Sequence, residues 1–215
     1  MAPARSVLVF RKIQILRNTA SESPLPPSGP ARHAGRRLPD FLRFGEPTRL
    51  LSAAETDRDR AMLALGLYCG LRVSEMAHLM IADVDLRTAT LAVRHGKGDR
   101  DRFVPFAPAA TEPLRAVMSG HRHDEPVLRS RSRRQLTTRM LQYRFAELAE
   151  LAGLRHVHPH MARHTYATEL LQTGADITEV RDLLGHTSIL ATEVYLHCVP
   201  ERLRHAVDRL DWQAQ

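Results

Sequence analysis

From residue 57 onward, apolar residues recur at helical spacing and glycines cut the pattern into short lengths. Ala61, Met62, Ala64, Leu65 and Tyr68 share one helical repeat over 57–69, with Gly70 as its stop. Ser74 opens a short helix over 75–80, with Glu75 in the first turn, where a negative charge suits the helix N-terminus. Further helices are expected over 109–119, 134–151, 160–172, 177–184, 190–196 and 201–210, and Gly153, Gly174 and Gly185 stand where three of them end. Residues 90–94 and 102–105 are β-like. Between them, His95-Gly96-Lys97-Gly98-Asp99-Arg100 is turn chemistry, which predicts a hairpin with Lys97 near its tip. The expected fold is mainly α with a small antiparallel β-sheet (α+β).

Residues 1–50 read differently. Proline and serine crowd 21–30, and the flanks lack sustained apolar periodicity, so this stretch is expected to be a mobile basic tail or linker ahead of a domain spanning 51–215. No apolar run approaches the roughly 18 residues of a membrane helix. Val7 to Phe10 is too short for a signal-peptide core, so a cytoplasmic protein is expected. Cys69 and Cys198 read as buried thiols. The formal net charge is +7, but residues 1–50 hold nine basic and three acidic residues, which leaves the main body nearly neutral. Charge placement is more informative than the total. Arg129, Arg131, Arg133, Arg134, Arg139 and Arg144 fall between Val127 and Ala146 with no acid among them. Such a stripe suits phosphates, and it equally suits a solvated helix face.

Four places carry candidate chemistry. They are Arg72 with Glu75 between two helices, Lys97 in its hairpin, His160 and Arg163 on one helix face in His158-Pro159-His160-Met161-Ala162-Arg163-His164, and His186 followed nine residues later by Tyr195. Singly, each has an ordinary structural explanation. In this order they are equipment for attack on a phosphodiester. A planar guanidinium fork matches phosphate oxygens, lysine or histidine moves protons, and tyrosine holds the phosphate covalently. The rival reading is zinc on His156, His158, His160 and His164. It lacks the glutamate of a His-Glu-x-x-His helix, and the cysteines are distant.

The ordered set Gly70-Leu71-Arg72-Val73-Ser74-Glu75, Gly96-Lys97-Gly98, His158-Pro159-His160 with Arg163-His164-Thr165-Tyr166-Ala167-Thr168, Leu183-Leu184-Gly185-His186 and Tyr195 resembles the catalytic domain of the tyrosine recombinase (phage integrase) family, over about 57–205. The resemblance implies cleavage and rejoining of duplex DNA through a 3′-phosphotyrosyl intermediate on Tyr195, with no metal, ATP or other cofactor. It implies that Arg72 and Arg163 bind the nonbridging oxygens, Lys97 protonates the leaving oxygen, His160 helps take the tyrosine proton and His186 bonds the phosphate. Glu75 and His164 would support them. Arg129, Arg131, Arg133, Arg134 and Arg139 are carried as DNA-binding candidates. The expected assembly is a homo-tetramer on DNA that is monomeric when free, with the amphipathic 200–210 helix, lined by Leu203, Ala206, Val207 and Leu210, docking on a neighbour.

Two departures from that pattern stand out. Residues 1–50 are too short and polar for the helical domain that usually completes a clamp around DNA, so weak, salt-sensitive binding is expected. Ala162 replaces a usual leucine, which is expected to loosen packing beside Arg163. A type IB-like nicking and resealing enzyme, and a DNA-binding or regulatory relative without turnover, remain as alternatives.

Overall fold

The computed structural model describes residues 40–94, 101–186, 188 and 190–193. The expected tail up to residue 39, the hairpin tip with Lys97, Tyr195, Cys198 and the 200–210 helix lie outside the described residues. In chain order the described elements are α1 (Glu46–Ser52), α2 (Asp57–Leu67), α3 (Val73–His78), β1 (Val84–Asp85), β2 (Thr90–Val93), β3 (Arg102–Pro105), α4 (Thr111–Met118), α5 (Thr138–Leu151), α6 (Pro159–Gln172), α7 (Ile177–Leu184) and α8 (Leu190–Glu193). The fold is mainly helical with one small antiparallel sheet, in the order β1-β2-β3. Leu91 pairs with Val84 on one side and Val104 on the other, and Val93 pairs with Arg102.

Helix α2 is the centre. Ala61, Met62, Leu63, Ala64, Leu65 and Leu67 are all buried. From 61 to 67 the helix is apolar on every side, which belongs inside a packed body, and α4, α6, α5 and α1 surround it. The loosening expected at Ala162 is absent. Ala162 is fully buried, and a methyl group added to Gly66 would lie 3.0 Å from its Cβ, so α2 and α6 already touch there. A smaller cluster of Tyr166, Ala167, Leu171, Val180 and Leu184 joins α6 to α7.

Several sequence expectations shift. The boundary at residue 50 falls inside α1, whose Leu50 is fully buried, and Leu42 just before it is buried as well, its N–H donating to Thr165 Oγ1 at 2.9 Å. Pro47 at the start of α1 was the available signal. The two-residue strand β1 is too short to show alternation. The helix expected from 134 begins at Thr138, capped by Thr137, whose Oγ1 accepts from the Met140 N–H at 3.2 Å. Residues 130–134 instead close a turn, with Ser130 N–H donating to the Arg134 carbonyl at 2.8 Å.

Asp59 is the charged exception in the core. It is fully buried and bidentate with Arg144, whose Nε and Nη2 donate at 2.8 and 2.7 Å, while Thr56 Oγ1 donates at 2.6 Å. Burial alone would raise the Asp59 pKa; hydrogen bonds from Arg144 and Thr56 overcome it and hold the carboxyl below its ordinary range. Arg144→Met leaves a buried, unpaired carboxylate, and is expected to cost about 3–5 kcal/mol in urea unfolding at pH 7. The loss should shrink as pH falls, because the unpaired Asp59 then protonates more readily. Adding Asp59→Asn should recover more than half of it. A loss below about 1 kcal/mol would show that the pair is not what makes the buried charge tolerable.

Candidate active site

The ends of three helices meet at one point. After α2 the chain turns at Gly70 with φ +62°, a left-handed conformation, and a Cβ there would come within 2.3 Å of the Tyr166 ring. This turn delivers Arg72 to the start of α3. Glu75, in the first turn of that helix, accepts from the Arg72 backbone N–H with Oε2 at 2.8 Å and from Arg72 Nη1 with Oε1 at 2.8 Å. Arg72 Nη2 reaches the Gly185 carbonyl at the end of α7, at 3.2 Å.

Arg163 arrives from α6, and its side chain is 4% exposed. It donates to the Gly70 carbonyl from Nη1 and to the Leu184 carbonyl from Nη2, both at 2.6 Å. The same Nη1 lies 3.8 Å from Glu75 Oε2, and Nη2 lies 3.3 Å from His186 Nε2. A guanidinium can only donate. His186 Nε2 therefore accepts, and its ring proton sits on Nδ1, which donates to Thr192 Oγ1 of α8 at 3.0 Å. Arg72, Glu75, Arg163 and His186 thus share one cluster. His160 lies one turn before His164 on α6, with the two ring centroids 6.5 Å apart, and it is close enough to Arg163 and Arg72 to feel their charge. Lys97 and Tyr195 lie outside the described residues.

The sequence reading missed Arg102. It lies on the inward face of β3 with the fully buried Val104, and forks both Glu75 oxygens, Nη1 to Oε1 at 2.8 Å and Nη2 to Oε2 at 3.0 Å. Thr192 was missed as well. The available signal for Arg102 was its position two residues before a core valine on a half-buried strand.

The arginine stripe divides. Arg129 is turned inward and needs correcting as a DNA contact. Its side chain is 9% exposed and donates to the carbonyls of Val117 at 2.7 Å and Pro126 at 3.1 Å, because it must satisfy buried backbone oxygens. Arg131, Arg133 and Arg134 are exposed on the 130–134 turn, and Arg139 is exposed on α5, over the Tyr143 ring. The histidines do not converge for a metal. Rings 156, 158, 160 and 164 are strung 6.2 to 6.5 Å apart, and no group of three potential ligands gathers among the described residues.

The cluster's charges set its titration. Burial would raise the Glu75 pKa, but hydrogen bonds and charge from Arg102, then Arg72, hold it at about 2. Burial, then Arg163 and Arg72, push His186 down to about 4. Burial, then His160 and Arg163, push His164 to about 4. Partial burial, then Arg163 and Arg72, lower His160. These rings are neutral at pH 7 in a positive field. Tyr166 is unsuited to nucleophilic attack, since burial and then Cys69 push its phenol up to about 12.

The phage integrase family model matches residues 40–202. The chain belongs to the phage integrase family. It is 37% identical over 186 residues to tyrosine recombinase XerC of Bacillus subtilis, covering 79% of this chain and 60% of that protein. Among solved structures it resembles XerA recombinase with TM-score 0.73 and 32% identity, over 83% of this chain and 68% of that one. It also resembles XerH site-specific recombinase bound to palindromic difH substrate in a post-cleavage complex, with TM-score 0.67 and 26% identity, over 83% and 55%. The family-model match over residues 40–202 runs through all the elements that carry the arginine cluster.

Between pH 6.5 and about 4 the unfolded chain takes up protons that folded His164 and His186 refuse, so stability should fall with pH across that window. Glu75, whose folded pKa is depressed from 4.5, adds a further loss from about 4.5 toward 2. In urea melts at pH 7, 5.5 and 4.5, His164→Asn and His186→Asn should each flatten the fall. An unchanged slope in both would contradict these environments.

Proposed function

We propose that the chain is a site-specific DNA strand transferase that cleaves and rejoins duplex DNA through Tyr195. The observation that carries this reading is the convergence of Arg72 and Arg163, from helices α3 and α6, on the end of α7 beside neutral His186. Two planar cations beside each other fit the two nonbridging oxygens of one phosphodiester, and such donors strengthen as charge builds in the transition state.

On this reading the Tyr195 phenol loses its proton, with His160 as acceptor. Its oxygen bonds to phosphorus, and the bond to the 5′-oxygen breaks as Lys97 protonates it. An ordinary phenol has a pKa of about 10, so two neighbouring guanidiniums and a neutral histidine are the assistance it needs. An approaching phosphodiester raises the His186 pKa and turns Nε2 from acceptor into donor. Glu75 orients Arg72, and His164 packs behind His160. The phosphotyrosyl ester conserves the energy of the broken bond, so rejoining needs no ATP, and the guanidiniums carry the charge that a divalent cation would otherwise balance. Exposed Arg131, Arg133, Arg134 and Arg139 contact the DNA backbone. Exchange between two duplexes breaks four strands, so a tetramer is the assembly this reading requires.

A nicked duplex that on cleavage releases a short fragment ending in a free 5′-hydroxyl should trap a covalent protein–DNA band on a denaturing gel. Wild type forms the band with EDTA present, Tyr195→Phe forms none, and Arg72→Ala or Arg163→Ala slows it about 10²–10³-fold. A covalent band from Tyr195→Phe would overturn the assignment of the nucleophile.

A further inference from the structure

We propose that Arg102 is a positioning residue for strand cleavage, holding the Glu75 carboxylate so that Arg72 is oriented yet remains available to the scissile phosphate. The inference rests on the strand-cleaving reading above and adds a residue to it.

Glu75 creates a difficulty that Arg102 solves. A buried carboxylate 2.8 Å from Arg72 and 3.8 Å from Arg163 competes with phosphate for both guanidiniums. Left to those two partners, it would cancel half of their charge. Arg102 engages both carboxylate oxygens in a fork, the geometry that binds a carboxylate best. Three guanidiniums against one carboxylate leave a net charge of +2, and the nearby histidines are neutral. A phosphodiester and an attacking phenolate together carry two negative charges. Without Arg102 the cluster falls to +1, and Glu75 turns wholly onto the two arginines meant for DNA.

The anchorage of Arg102 explains how it holds this position. Its side chain is 14% exposed and its Nε donates to the Leu183 carbonyl at 3.3 Å. A Cβ on Gly185 would lie 2.9 Å from Arg102 Cδ and Nε, so glycine at 185 is what lets the guanidinium pass under the end of α7. Arg102 therefore ties β3 to α3 and α7, the two elements that present Arg72 and His186. Phe103, pointing the opposite way on the strand, is exposed and takes no part.

The test is single-turnover cleavage of the nicked duplex at saturating protein, with DNA affinity measured separately by fluorescence anisotropy and folding checked by thermal melts. Arg102→Met should cleave about 10–100-fold more slowly, the usual loss for a residue supporting a reacting group, with DNA affinity within about threefold of wild type. Arg102→Lys, which keeps the charge but not the fork, should recover part of that rate. In a Glu75→Gln background Arg102→Met should cost less than about threefold, because the carboxylate it holds is gone. If Arg102→Met does not fold, Arg102→Lys decides: slower cleavage at unchanged affinity supports the role. Wild-type rates in the Arg102 variants, a loss confined to DNA affinity, or equal losses with and without Glu75 would overturn it. A wild-type chain that forms no covalent band refutes strand cleavage itself, whereas a wild-type band with unaffected Arg102 variants refutes only the role of Arg102.

Discussion

The site depends on one buried carboxylate among three guanidiniums. Arg72, Arg102 and Arg163 come from a helix start, a strand and a helix interior, and like charges this close repel unless something sits between them. Glu75 does, 6% exposed and within 3.8 Å of all three. Its own burial is tolerable only because the arginines surround it. Charge balance therefore ties α3, β3 and α6 to one another in addition to the apolar core. Carbonyl oxygens at the ends of α2 and α7 take up further guanidinium hydrogens, so helix termini that would otherwise need caps become the frame of the site.

The histidines complete that frame. Their low pKa values follow from crowding by cations and removal from water, and they leave the rings neutral at pH 7. His186 shows how far the arrangement is specified. Arg163 fixes one ring nitrogen as acceptor, and Thr192 receives the proton on the other. An anion entering the cluster reverses this preference, so the same ring answers to the charge of whatever occupies the site.

Much of this was legible in the sequence. Helical periodicity and glycine stops mark α2, α6 and α7, with α7 expected to its observed limits, and the three-residue spacing of His160 and Arg163 places them on one face. What escaped was decided by contacts distant in sequence. Arg102 looks like one more basic residue after a polar turn, and its role appears only when β3 meets the end of α7 across 81 residues. Arg129 and Arg144 read as members of a phosphate-seeking stripe. One instead satisfies carbonyls of 117 and 126 and the other pairs with Asp59 on α2. Helix α1 was hidden by the proline and serine composition before it, although Leu42 and Leu50 are core residues.

A crystal structure of Tyr195→Phe bound to an uncleaved duplex bears most directly on the claim that this carboxylate-centred cluster is built for one phosphodiester. The account predicts a single backbone phosphate with oxygens within hydrogen-bonding distance of both Arg72 and Arg163, and the Glu75–Arg102 fork intact behind them. DNA seated on another face, or Glu75 still occupying Arg72 while the phosphate lies elsewhere, would contradict it.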